Sequence, residues 1–395
     1  MPMNSAIARL GRRLRLGVIG GGPGSFIGEV HRTAARLDDN FEVVASVLSS
    51  DPERSRAAGR AIGIAADRAY AAAAAMFDGE AKRSDGMEVV AIMTPNDSHH
   101  ALCSAALERN LDIICDKPLT TNLQDALDLV ERVRRAGVVF CHTFNYTAFP
   151  MVRQARAMVR DGDLGEIRMV HVEYVQGHNA TLNAGERGEA AAAWRMRPEK
   201  AGGSLILGDI GSHAHHMASF VSNQAFERVM ADVGAVVPGR NADDYAGLLF
   251  RLENGARGVL WVTQAGAGAV HGLHFRVFGA KGGLEWFQEE PNQLHHSRLG
   301  QPALLFERHG PGLKPDAMRA SRISIGHPEG FQEAFAVLYA EAAEAIVARH
   351  LGKKPDPAAL NFATVEDGAR TMKFIDAALE SSRAGKWVDC RLEIS

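Results

Sequence analysis

Apolar residues in the first 145 positions come in short, nearly unbroken runs at 14–19, 41–48, 89–93, 111–115 and 138–142. The runs are rich in β-branched residues and barely alternate, as strands buried on both faces of a parallel sheet require. The stretches between them carry helix starts. Asp51 precedes Pro52, Ser98 can cap the helix that follows it, and Asn122 can cap a helix over 123–135 that Gly137 closes. Strand and helix alternating at this spacing predict a doubly wound α/β domain.

After about residue 148 the rhythm changes. A helix over 151–160 stops at Asp161-Gly162, and 167–175 reads as a long strand. A helix over 209–221 precedes strand-like runs at 229–237, 245–252, 258–264, 274–278 and 283–287. The Gly, Asn and Asp between those runs make short turns, which favour an antiparallel sheet. Residues 291–328, rich in Pro, Gly and His, read as a long loop over that sheet. Helical stretches at 331–349 and 364–382 close the chain, and no internal repeat is visible. The expectation is a nucleotide-type parallel domain over 1–147 and an α+β domain over 148–395 with a large, open, mainly antiparallel sheet.

A length of 395 residues agrees with two cores rather than one. A net charge of −3 offers no electrostatic reason to expect nucleic acid or an anionic membrane as partner. No window approaches the ~18 apolar residues of a membrane span. Cys103, Cys115, Cys141 and Cys390 form no CxxC pair and read as reduced, buried thiols of a cytoplasmic protein. The basic start (Arg9, Arg12, Arg13, Arg15) contains a twin arginine, but cleavage after it would destroy the first strand. Residues 1–13 are therefore expected to be a disordered arm.

Chemistry concentrates at the strand ends. Gly20, Gly22, Gly24 and Gly28 lie between the first strand and the first helix, where glycines let the backbone approach a pyrophosphate met by the helix N-terminus. The spacing departs from GxGxxG, as if three residues were inserted. The second strand ends Ser49-Ser50-Asp51. Asp51 is the only acid there to hold a ribose 2′-hydroxyl and competes with its own role as helix cap, while Ser49 and Ser50 could hold a 2′-phosphate. NAD and NADP both stay open. Thr94-Pro95-Asn96, with His99 beyond it, follows the third strand, and Asp116-Lys117-Pro118 follows the fourth. A lysine at such a strand end can hold a substrate hydroxyl and help it deprotonate.

The second half adds Trp194-Arg195 and the run 202–213, in which Asp209 and His213 are one helical turn apart. A carboxylate beside an imidazole orients it, and histidine titrates where a general base is useful. His213, His215, His216 and Asp209 also suggest a metal site. However, the i, i+2, i+3 spacing cannot aim three rings at one ion on a regular helix, so no metal is expected.

Together these segments resemble the Gfo/Idh/MocA family of dehydrogenases along essentially the whole chain. The resemblance rests on the glycine loop with Gly28 and His31, on Thr94-Pro95-Asn96 with Asp116-Lys117-Pro118, and on Gly203 with the run 209–213. It implies a Rossmann domain binding NAD or NADP, and a C-terminal open sheet that forms a homodimer or homotetramer. It also implies catalysis by Lys117, Asp209 and His213. His213 would take the hydroxyl proton, Lys117 would bind that oxygen and Asp209 would orient the histidine while a hydride passes to the nicotinamide. Asp116 stands where the family usually has Glu. Asn145-Tyr146, expected at the substrate, is followed by Thr147 where many members carry Arg, which points to a neutral sugar, glycoside or cyclitol. A dinucleotide-sensing regulator on the same fold is the alternative, but such a regulator has no need of Lys117 and His213 together.

Overall fold

The computed structural model describes residues 4–182, 194 and 197–394, which form two compact units. In the first unit, strands β1 (Leu14–Gly20), β2 (Phe41–Val47), β3 (Val89–Met93), β4 (Asp112–Cys115) and β5 (Phe140–His142) make a parallel sheet. Their order is β2-β1-β3-β4-β5. Residues 89–93 of β3 and 112–115 of β4 are buried throughout, which is why their sequence does not alternate. The order reverses direction between β1 and β3, and ligands of such sheets bind beyond the strand carboxyl ends at that switch point.

The expected disordered arm is corrected for its described part. Ser5–Leu10 is a helix, with Ser5 Oγ and the Ala6 amide both donating to Asn40 Oδ1. Arg12 forms a two-pronged pair with Glu88, and Arg13 does the same with Asp39. The first unit is also not one stretch of sequence, because Phe335–Ala369 belongs to it. Residues 334–348 are buried on every side of the helix Phe331–His350, so no single face of it is left for water. Tyr339 of that helix meets His31 at 2.8 Å, and Arg349 and His350 both reach the buried Asp112.

The second unit is built on a nine-stranded sheet. Its strands are β6 (Ile167–Gln176), β7 (Phe226–Gly234), β8 (Tyr245–Leu252), β9 (Arg257–Thr263), β10 (His271–Gly279), β11 (Gly282–Phe287), β12 (Gln293–Arg298), β13 (Leu304–Glu307) and β14 (Val388–Asp389). The order is β13-β12-β11-β10-β6-β9-β8-β7-β14, antiparallel except for β6 against β9. Val172, Tyr174, Phe250, Leu260 and Phe275 face helices Pro150–Arg160 and Ser212–Ser222. The opposite face exposes Met169, Leu249, Val259 and Trp261. Residues 291–328 are not one long loop, since they supply β12, β13 and the helix Pro315–Ala320. β12 buries only Leu294 and His296, so it carries little apolar signal and is held by pairing with β11.

Candidate active site

β1 ends in backbone that only glycine adopts readily. Gly20, Gly21 and Gly24 have φ of 84°, 64° and 81°. A side chain at Gly22 is excluded, because its Cβ would lie 1.9 Å from the Leu48 carbonyl oxygen at the end of β2. A Cβ at Gly28 would lie 2.0 Å from Gly21 O, so the helix Phe26–Leu37 packs directly on the loop. The long spacing thus keeps the close helix–loop approach that the usual third glycine provides. Ser25 caps the helix by accepting from the Gly28 amide, and Arg32 Nη1 donates to Gly21 O at 2.6 Å. Bare backbone beside a helix N-terminus at a switch point fits a dinucleotide pyrophosphate.

At the end of β2, Asp51 is the cap of helix Pro52–Ala61: its Oδ1 accepts from the Arg54 amide at 2.7 Å. Ser49 Oγ in turn accepts from the Asp51 amide, and Ser50 is exposed. After β3, Ser98 does not cap the next helix, since its hydroxyl donates to Thr94 Oγ1 and to Pro95 O. Asn96 is buried in a single turn of 3₁₀ helix. His99 is wholly buried, with Nδ1 and Nε2 each 2.9 Å from the carbonyl oxygens of Pro118 and Thr94. The ring thus ties the end of β3 to the turn after β4. In that turn Asp116 Oδ1 accepts from the Lys117 amide at 3.0 Å and from Thr143 Oγ1 at 2.7 Å, fixing the backbone that carries Lys117.

In the second unit, the Gly202-Gly203-Ser204 segment leads into a helix start held by Asp243, which accepts from Ser204 Oγ and the Leu205 amide. The regular helix expected over 209–221 is corrected. Leu207–Gly211 is a π-turn and the α-helix runs over Ser212–Ser222. Such turns widen the helix and recur at functional sites. Asp209 Oδ2 accepts from Gln264 Nε2 at 2.7 Å, and Gln264 also reaches Gln176 Oε1 at 3.3 Å.

His213 is buried edge-on to Tyr146 at 4.7 Å and Phe144 at 5.7 Å. Tyr146 and Tyr174 share a 2.6 Å hydroxyl contact, and burial pushes the Tyr146 phenol up to about 12. Asn145 is buried beside Tyr146, and among the described residues its amide nitrogen has no hydrogen-bond acceptor. His215 instead stacks on Phe374 at 4.4 Å and meets Thr371, while His216 stacks on Phe144. The three histidines therefore do not converge. Trp194 is half-buried, and Arg195 lies outside the described residues. Gln264, Gln176 and Tyr174 escaped the sequence reading, although each is a polar residue at a buried position of a strand or just past its end.

A switch-point parallel sheet with a glycine loop, followed by a unit built on a large open sheet, is the architecture of nucleotide-dependent α/β enzymes. Residues 14–144 match the oxidoreductase family with an NAD-binding Rossmann fold, and residues 152–285 match the GFO/IDH/MocA C-terminal domain. The chain belongs to the Gfo/Idh/MocA family of oxidoreductases. It is 33% identical over 387 residues to the uncharacterized oxidoreductase YfiI of Bacillus subtilis, covering 96% of this chain and 98% of that protein. An oxidoreductase from Sinorhizobium meliloti is 43% identical, with TM-score 0.86 over 95% of this chain and 99% of its own. An inositol dehydrogenase homolog from Azotobacter vinelandii, solved with NADH and myo-inositol, is 36% identical, with TM-score 0.88 over 96% and 98%.

Proposed function

We propose that this oxidoreductase oxidises a CH–OH group of a neutral sugar, glycoside or cyclitol with NAD, tolerating NADP. The observation that carries the reading is a buried His213 four residues beyond Asp209, whose carboxylate Gln264 anchors. The glycine loop, Thr94, Pro95, Asn96 and the Asp116–Lys117 turn would hold the dinucleotide, which when bound supplies a hydride acceptor. His213 takes the hydroxyl proton as general base, in a pocket of aromatic rings that exclude water. Asp209 orients that imidazole, and Gln264 orients Asp209. The Lys117 ammonium binds the same oxygen and stabilises the charge that develops on it. Asn145, with its buried unspent donor, and Tyr146 bind neighbouring hydroxyls, and Trp194 and Arg195 are further candidates for substrate contact. Relatives support the substrate class: levoglucosan dehydrogenase of Pseudarthrobacter phenanthrenivorans is 26% identical over 413 residues, covering 96% of this chain.

With Asp51 engaged as a cap, discrimination between the two dinucleotides stays below about a thousandfold, roughly 4 kcal/mol. The test is a panel of sugars, glycosides and inositols with each dinucleotide, read at the reduced-nicotinamide band. Tight dinucleotide binding with no turnover across the panel would favour a dinucleotide-sensing regulator instead. The open sheet face, with Met169 53% and Leu249 50% exposed, is the surface through which a homodimer or homotetramer would form.

A further inference from the structure

On that open face, opposite the side of β6 that carries Tyr174, two histidines and two glutamates meet across neighbouring strands. His171 and Glu173 are two residues apart on β6 and so point the same way, and Glu173 lies directly opposite His274 of β10. Glu173 Oε1 is 3.2 Å from His274 Nδ1, and its Oε2 is 3.7 Å from His171 Nε2. One donor atom from each of the three residues falls within 4.8 Å of the others. Four-coordinate zinc at 2.0–2.1 Å sets its ligand atoms about 3.3 Å apart, so these donors need only small side-chain shifts to close on an ion.

We propose that His171, Glu173 and His274 bind a divalent transition-metal ion of the zinc type. Two imidazoles and a carboxylate suit zinc-like ions, whereas calcium and magnesium prefer oxygen ligands throughout. The surroundings also resemble a built site. Glu285 Oε1 lies 3.0 Å from His274 Nε2, the arrangement of carboxylate, histidine and metal that fixes the tautomer and leaves Nδ1 as the ligand. Phe287 stacks on the His274 ring at 4.2 Å and 6°, holding its plane. Arg276, paired with Glu285 at 2.6 Å, neutralises that outer carboxylate and leaves Glu173 as the charged ligand. In the single chain His171 and Glu173 are 30% and 28% exposed, so the ion and a completing water can enter before copies of the chain meet on this face. All three ligands come from one chain, so loading needs no second copy, and the ion sits apart from Asp209 and His213.

The test uses the full chain, stripped with a chelator and titrated with Co²⁺, which is then displaced by Zn²⁺. One Co²⁺ per chain with the absorption of a four-coordinate N/O site is expected. His171→Ala and His274→Ala should each weaken binding at least about tenfold, and Glu285→Gln by about 10- to 100-fold, the usual effect of losing an outer partner. Zn²⁺ should raise the thermal midpoint of the wild type and leave that of the His171→Ala/His274→Ala variant unmoved, with dinucleotide affinity equal in both. Binding that survives the double substitution, or no one-to-one binding by the folded wild type, overturns the proposal.

Discussion

At the scale of single residues, the proposal makes His213 a base and Gln264 a positioning residue, and the two should fail differently. His213→Ala should lower turnover by about 10²–10⁴-fold, the span for a positioned acid–base group, with dinucleotide affinity and thermal midpoint nearly unchanged. Lys117→Ala should cost at least as much. A folded His213→Ala enzyme at near-native rate would refute the assignment. Gln264 donates a 2.7 Å hydrogen bond to the Asp209 carboxylate, and such bonds to charged groups are worth about 1.5–3 kcal/mol. Gln264→Leu should therefore reduce kcat by about 10- to 100-fold with little change in KM. A raised KM at constant kcat would instead place Gln264 at the substrate.

At the scale of elements, the helix Ser212–Ser222 carries His213, the proposed base, on one edge and core residues on another. His215, on the core edge, stacks on Phe374 with Phe226 tilted against it, and burial lowers its imidazole to about 3. His142, at the end of β5, is lowered by burial to about 4. Both are neutral in the native protein where an unfolded chain would protonate them near pH 6.5. Between pH 6.5 and 4 the unfolded state binds the extra protons, so stability falls as pH falls, by up to roughly 3 kcal/mol per histidine. The thermal midpoint should drop through that window, and His215→Phe should flatten the slope. An unchanged slope in that variant would assign the acid sensitivity elsewhere.

At the scale of the whole molecule, the nine-stranded sheet has one face that no helix covers among the described residues. Val259 and Trp261 are 43% and 37% exposed there, while Leu260 and Val262, which alternate with them, are fully buried. Alternation therefore puts Trp261 on the outer face rather than in the core. If that face joins copies of the chain, Val259→Glu/Trp261→Glu should shift the mass from light scattering to that of a monomer, because paired carboxylates cannot be buried unneutralised. A wild-type monomer at micromolar concentration, or an oligomer unaffected by the pair, would remove this role.

What the sequence determined by itself was whatever rests on near neighbours. Nearly unbroken apolar runs marked β1 to β5 because burial on both faces leaves few polar positions, and glycines marked the loop because 1.9 Å of space at Gly22 admits no side chain. Asp51 before Pro52 announced a helix start that the structure bears out. Tertiary structure alone decided what depends on distant partners. The weakly apolar β12 exists because β11 pairs with it, and Phe335–Ala369 joins the first unit because its helix is buried on all sides. Gln264 reaches Asp209 across 55 residues, and His274 meets Glu173 across 101. Such contacts arise from sheet order and register, which no local periodicity encodes.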